Sequence, residues 1–260
     1  MACSLRTDKK EPLRNYKLKP EKMGSYAVME EEQAPIKLTF ESYSDAPLIK
    51  FQENSSIVVT GSSKSGKTYW INKFLKNIDD MFSGEPPAEV LYFYLHDQPL
   101  YSEMKKNLQD RITFKEGVPT TQDIMEFAQD DQHRLIVLDD IMHLVVNNKD
   151  IALLATNLVH HKNMSCLIVY QNLFSSGKEA RTISLNTAYL VIFKNVRDKA
   201  QIAHLGRQIY PKNKLFMEAY TDAVRAPHSY LLIDMTAITH DSYRLRSHIF
   251  PGEQLVVYEI

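Results

Sequence analysis

From Ile36 onward the chain alternates short, nearly continuous apolar runs with longer segments in which apolar residues recur at helical spacing. The runs Ser56–Thr60, Val90–Leu95, Ile112–Phe114, Leu135–Leu138, Cys166–Tyr170, Tyr189–Phe193 and Tyr230–Asp234 are dominated by Val, Ile, Leu, Phe and Tyr. Such uninterrupted runs are expected of strands buried on both faces of a parallel sheet. Between them, helices are predicted over Lys67–Ile78, Thr121–Gln129, Asp150–His161 and Asp198–Ile209. Tyr210-Pro211 closes the last of these, because proline disfavours α geometry at the residue before it. Strand alternating with helix predicts an α/β domain whose mostly parallel sheet carries helices on both faces. Residues 1–34 show neither period and mix charges, prolines and single hydrophobes. The pattern therefore divides the chain into a flexible N-terminal arm, residues 1–35, with docking onto a neighbouring subunit as the alternative, and one domain, residues 36–260.

Composition narrows the class without naming a function. A chain of 260 residues, 44% hydrophobic and 24% charged, suits one large globular domain and excludes whole-chain disorder. Two cysteines, Cys3 and Cys166, exclude a disulfide scaffold and lead us to expect reduced thiols and an intracellular protein. No apolar run approaches the roughly 18 residues of a membrane span, and no apolar core follows the basic N-terminal residues as a secretory signal would require. His143, His160 and His161 lack metal-ligand spacing partners and read as ordinary histidines. Net charge is −1, so affinity for nucleic acid would have to be local. Residues 171–215 hold such a concentration: Lys178, Arg181, Lys194, Arg197, Lys199, Arg207, Lys212 and Lys214 against Glu179 and Asp198, a formal +6 that leaves −7 elsewhere. A DNA-tracking face needs that asymmetry, because phosphate contacts dominate affinity without reading bases. Phe174, Tyr189, Phe193 and Tyr210 in the same stretch read as core residues rather than base-stacking ones.

The sharpest motif is Gly61-Ser62-Ser63-Lys64-Ser65-Gly66-Lys67-Thr68, which fits G-x-x-x-x-G-K-[ST] between a predicted strand and a predicted helix. Glycines and small residues let backbone N–H groups turn inward around phosphate oxygens, and the helix start adds its positive dipole end. Lys67 is expected on the β- and γ-phosphates of ATP and Thr68 on Mg²⁺. Lys64 reads as a solvated side chain, with a second phosphate contact left open. Leu135-Ile136-Val137-Leu138-Asp139-Asp140 supplies the acidic strand end such a site requires. Asp139 is expected to hold Mg²⁺. Asp140 is expected to orient or deprotonate the attacking water. It stands where a glutamate is commoner, one methylene longer. Gln171, at the end of the next strand, either reports the γ-phosphate or is simply an exposed amide. Strands intervening between the two motifs suggest the RecA-like, additional-strand branch of P-loop proteins. Asn147-Asn148-Lys149-Asp150-Ile151 does not give the guanine motif N-K-x-D, and no L-S-G-G-Q is present.

Gly61–Thr68, Leu135–Asp140 and Gln171, followed by Arg181-Thr182-Ile183-Ser184-Leu185-Asn186, resemble the FtsK–HerA superfamily of DNA-pumping ATPases. The finer likeness is to the packaging ATPases of Polinton/Maverick elements and adintoviruses, relatives of the poxvirus packaging ATPase. It is carried by Ile192-Phe193-Lys194-Asn195-Val196-Arg197-Asp198-Lys199, by Gln201-Ile202, Leu205, Arg207-Gln208 and Tyr210-Pro211, and by Pro227-His228-Ser229-Tyr230-Leu231-Leu232-Ile233-Asp234. The likeness runs from about Ile36 to Asp234, and the last twenty-odd residues add little to it. It implies an ATP-driven, Mg²⁺-dependent translocase that packs double-stranded DNA into a viral capsid. It further implies a homo-oligomeric ring with ATP between subunits and an arginine acting on the neighbour's γ-phosphate. Arg181 is the first candidate for that arginine and Arg197 the second. Implied partners are double-stranded DNA and capsid or portal-vertex proteins. The implied location is the host nucleus or a cytoplasmic virus factory, transiently at the capsid. A helicase-type or DNA-remodelling ATPase of a mobile element, and a slow nucleotide-gated assembly protein that moves nothing, are the alternatives.

Overall fold

The computed structural model describes residues 35–40, 50–141, 151, 162–171, 183, 185–197, 199–210 and 213–260. Ten strands form one sheet: β1 (Ile36–Phe40), β2 (Ser56–Thr60), β3 (Glu89–Tyr94), β4 (Ile112–Glu116), β5 (Arg134–Asp139), β6 (Met164–Tyr170), β7 (Tyr189–Phe193), β8 (Tyr230–Asp234), β9 (Leu245–Ser247) and β10 (Leu255–Glu259). Described helices are α1 (Lys67–Lys76), α2 (Ile78–Met81), α3 (Pro99–Leu108), α4 (Thr121–Phe127), α5 (Lys199–Ile209) and α6 (Asn213–Ala223).

The sheet order is β1-β10-β9-β8-β7-β2-β6-β5-β3-β4. Six strands, β7 through β4, run parallel, and β8, β9, β10 and β1 continue the sheet by antiparallel pairing. The central strands are buried along their whole length because both faces are covered. On one face Ile57, Val59, Tyr92, Val137 and Val169 pack against Trp70, Ile71 and Phe74 of α1 and Tyr101 and Met104 of α3. Their alternates Val58, Phe93, Ile136, Leu138 and Ile168 pack toward Ile124 of α4, Ile202 and Leu205 of α5 and Phe216 and Ala219 of α6. This is the expected α/β architecture with helices on both faces, in the RecA-like, additional-strand arrangement of P-loop proteins. The strand separating β2 from β5 is β6, which follows β5 in the chain. The strands that intervene in sequence, β3 and β4, instead lie beyond β5 at the sheet edge.

Several boundaries move for local reasons. The first helix stops at Lys76, where the Asn77 amide divides between the carbonyls of Lys73 and Phe74, both at 3.2 Å, and its side-chain Nδ2 donates to Lys73 O at 2.8 Å. Thr120 and Asp123 form a reciprocal capping box at the start of α4, which ends at Phe127 rather than Gln129. Strands β1, β9 and β10 and helices α3 and α6 were not anticipated. The final residues complete the sheet: Ile36 opposes Glu259, and Arg246 of β9 donates to Asp234 of β8 at 2.6 Å in a fully buried ion pair. Arg181, Lys178, Lys212, His143, His160, His161, Phe174 and most of the helix predicted over Asp150–His161 lie outside the described residues.

Candidate functional site

The P-loop connects buried β2 to α1. Its first amide, Gly61 N–H, donates to Tyr170 O of β6 at 3.2 Å, anchoring the loop to the neighbouring strand. A side chain at Gly61 would place Cβ 2.6 Å from Phe193 Cβ and 2.8 Å from Ser65 Oγ, so the backbone can take this path only as glycine. Gly66 has φ 109°, and a Cβ there would meet His228 Nδ1 at 2.9 Å. Lys64 also adopts the left-handed region, at φ 62°. Lys67 Nζ folds over the loop and donates to Gly61 O at 2.8 Å and Ser62 O at 2.9 Å. Burial lowers the Lys67 pKa, against the opposing pull of Asp140 and then Asp139.

The sheet order then assembles the remaining groups. β2, β6 and β5 are adjacent and parallel, so the P-loop, Gln171 and the Asp139-Asp140 pair emerge side by side at their carboxyl ends. Gln171 Nε2 donates to Asp140 Oδ1 at 2.7 Å. Asp140 itself sits at φ 55°, in the left-handed region that aspartate tolerates better than most residues. Asp139 lies deeper, 2% exposed, and its Oδ2 accepts from Tyr92 Oη at 2.7 Å and Tyr101 Oη at 3.0 Å. Burial pushes the Asp139 pKa up, and the two phenols oppose the shift. Both phenols are themselves pushed up, first by burial and then by the adjoining carboxylate.

These residues share a cleft of about 380 Å³ lined by Ser63, Lys64, Gly66, Lys67, Thr68, Tyr69, Gln98, Leu100, Asp139, Asp140, Gln171 and His228. A larger open depression of about 590 Å³ beside α6 lies away from it. There Asp222 already pairs with Lys37 and Arg225, each at 2.9 Å, so we place the chemistry in the smaller cleft. The residues present fit a nucleoside triphosphate with Mg²⁺. Among the described residues the buried Ser65 hydroxyl has no partner, and the Lys67 ammonium rests on carbonyls that a phosphate would outcompete. Among the described residues no group of three or more His, Cys, Asp or Glu is placed to hold a metal by itself. Thr68 and Asp139, the residues expected to hold Mg²⁺, both line the cleft.

Sequence reading therefore located the loop, both aspartates and Gln171, and the structure brings all of them together. It missed Tyr92, Tyr101 and His228. His228, from the turn before β8, places Nδ1 3.2 Å from Ser65 O, packs against Gly66 and lines the cleft. It falls within a stretch quoted for the resemblance, but nothing in its spacing points to the P-loop. Arg197 is exposed and does not line the cleft of its own chain.

Of the basic stretch, Lys194 and Arg197 follow β7 directly and Lys199 opens α5, whereas Arg207 lies near the end of α5 and Lys214 near the start of α6. Tyr220 Oη of α6 accepts from Asn195 N at 3.0 Å.

No protein-family model matches the chain, and no curated protein matches it. Among solved structures it is similar to the DNA-packaging ATPase from Sulfolobus turreted icosahedral virus, with 11% identity over 70% of this chain and 92% of that chain and a TM-score of 0.46. It is also similar to the genome-packaging NTPase of Sulfolobus turreted icosahedral virus 2 in complex with AMPPCP, with 13% identity over 71% of this chain and 94% of that chain and a TM-score of 0.47. Among the described residues no helix is long and apolar enough to cross a membrane.

Proposed function

We propose that this chain is a Mg²⁺-dependent ATPase that drives double-stranded DNA into a viral capsid. The observation that carries the ATPase reading is the 2.7 Å hydrogen bond from Gln171 to Asp140 at the mouth of the P-loop cleft. It joins two strand ends into one unit beside Lys67 and Thr68. The loop amides and Lys67 hold the phosphates, and Thr68 and Asp139 hold the metal. Bound Mg²⁺ supplies charge neutralisation across the phosphates. Gln171 orients the Asp140 carboxylate through Oδ1. Asp140 accepts the proton of the attacking water as the new P–O bond forms and the bond to the bridging oxygen of ADP breaks. The DNA-packaging part is supported by the motif resemblance and by the basic residues of the 171–215 stretch. On this reading Arg181 of one subunit completes the site of the next in a ring.

ATP turnover on size-fractionated protein, with and without duplex DNA, tests the reading. Stimulation by unbranched duplex in an oligomeric fraction is expected. Turnover indifferent to DNA would favour a nucleotide-gated assembly protein. Strand displacement on a forked duplex would favour a helicase.

A further inference from the structure

A carboxylate can accept at either of its two oxygens. Here both phenols converge on Oδ2. No described side chain donates to Oδ1, and Asp139 lines the cleft. The two tyrosines come from different elements. Tyr92 belongs to β3, next to β5, and opposes Val137, so it shares the sheet face of Asp139. Tyr101 belongs to α3, whose N-cap residue Gln98 and first-turn Leu100 line the same cleft. Packing fixes both rings independently of their hydroxyls. Their centroids are 5.1 Å apart, and Phe114 lies 4.9 Å from Tyr92 and 5.3 Å from Tyr101.

We propose that Tyr92 and Tyr101 are positioning residues for the metal site, clamping Asp139 through Oδ2 so that Oδ1 is presented to the cation. This rests on the reading of the cleft as an ATP–Mg²⁺ site and adds to it. The clamp does for a carboxylate ligand what a hydrogen-bonded partner does for a metal-bound imidazole: it sets the ligand's orientation.

The test uses full-length protein in the variants Tyr101→Phe, Tyr92→Phe and Asp139→Asn. Mn²⁺ affinity is read by electron paramagnetic resonance with a non-hydrolysable ATP analogue present. Affinity for the same analogue is read separately without metal. Loss of either hydroxyl should weaken Mn²⁺ binding about tenfold or more. Metal-free nucleotide affinity should stay within about twofold, since the P-loop is untouched. A merely structural role would weaken both affinities together, and that result overturns the proposal. Wild-type Mn²⁺ affinity in both phenylalanine variants also overturns it, while a loss in Asp139→Asn alone leaves the site reading standing. Wild-type Mn²⁺ affinity in Asp139→Asn removes the site reading and the clamp with it. If one phenylalanine variant fails to fold, the other decides, because each hydroxyl contributes its own hydrogen bond.

Discussion

Lys67 donates to the carbonyls of Gly61 and Ser62, an arrangement that holds the loop closed around an ammonium. Exchanging those carbonyls for phosphate oxygens replaces neutral acceptors with charged ones, which strengthens each hydrogen bond. Lys67→Ala is therefore expected to remove nucleotide binding, measurable by titration with a fluorescent ATP analogue. Asp140→Asn should keep binding near wild type and slow turnover by about 10²–10⁴-fold, because an amide cannot take the proton of water. Wild-type turnover in Asp140→Asn would remove the catalytic assignment. Both residues were legible in the sequence because each belongs to a contiguous motif whose local geometry the loop or strand end dictates. Tyr92 and Tyr101 were not, since they lie 47 and 38 residues from Asp139 and meet it only across the sheet and under α3.

At the level of elements, close approach decides more than propensity does. Gly206 in α5 faces the start of α6: a Cβ there would lie 2.2 Å from Asn213 Oδ1 and 2.4 Å from Phe216 Cδ1. Alanine is the better helix former by about 1 kcal/mol. Overpacking against a buried ring typically costs about 1–3 kcal/mol. Gly206→Ala should thus destabilise the fold in urea titrations, and a gain in stability would mean that the two helices separate easily. His133 gives the pH dependence. It is buried, with Nδ1 2.8 Å from Glu85 O and Nε2 2.8 Å from Ser165 Oγ, so the neutral ring donates at one nitrogen and accepts at the other. Burial lowers its pKa below the ordinary 6.5, with weaker opposition from the Glu85 carbonyl and Glu53. The unfolded chain then binds the extra proton first, and this contribution to stability is lost as pH falls below about 6.5. His133→Gln should flatten the change in unfolding free energy between pH 7.5 and 5.5. An unchanged slope would place the titration elsewhere.

For the molecule as a whole, the proposed ring makes predictions no single subunit can. Arg181→Ala subunits and Lys67→Ala subunits should each be inactive. Mixed, they should recover part of the turnover, because some interfaces then join an intact loop to an intact arginine. No recovery in subunits shown to co-assemble would argue against a shared site and return attention to Arg197. Duplex binding should be electrostatic, with log affinity falling against log salt by about 0.9 per phosphate contacted and little difference between unrelated sequences. Lys214 does not line the P-loop cleft. Lys212→Ala with Lys214→Ala should therefore flatten that slope by about 1–2 while leaving basal turnover intact. A flat salt dependence in the wild type would exclude a duplex pump.

What the sequence determined alone was everything that short range can specify: the buried strands, the phosphate loop, the acidic strand end and the α/β class. Hydrophobic runs and glycine-rich turns act on neighbours a few residues away, and their physics is visible in one dimension. It under-read α3 and α6, whose apolar residues Leu100, Tyr101, Met104 and Leu108, and Phe216, Ala219, Tyr220 and Ala223, do recur at helical spacing. It also under-read β9, three residues long, and the edge strand β1, whose pairing partner β10 lies at the far end of the chain. Only the tertiary structure decided which strands are neighbours, and through that which side chains meet. Parallel pairing placed β6 between β2 and β5, bringing Gln171 to Asp140. The antiparallel return through β8 set His228 against the loop. Contacts of this kind depend on strand order, and strand order is fixed by how two helical layers cover one sheet, a property of the whole chain that no local pattern carries.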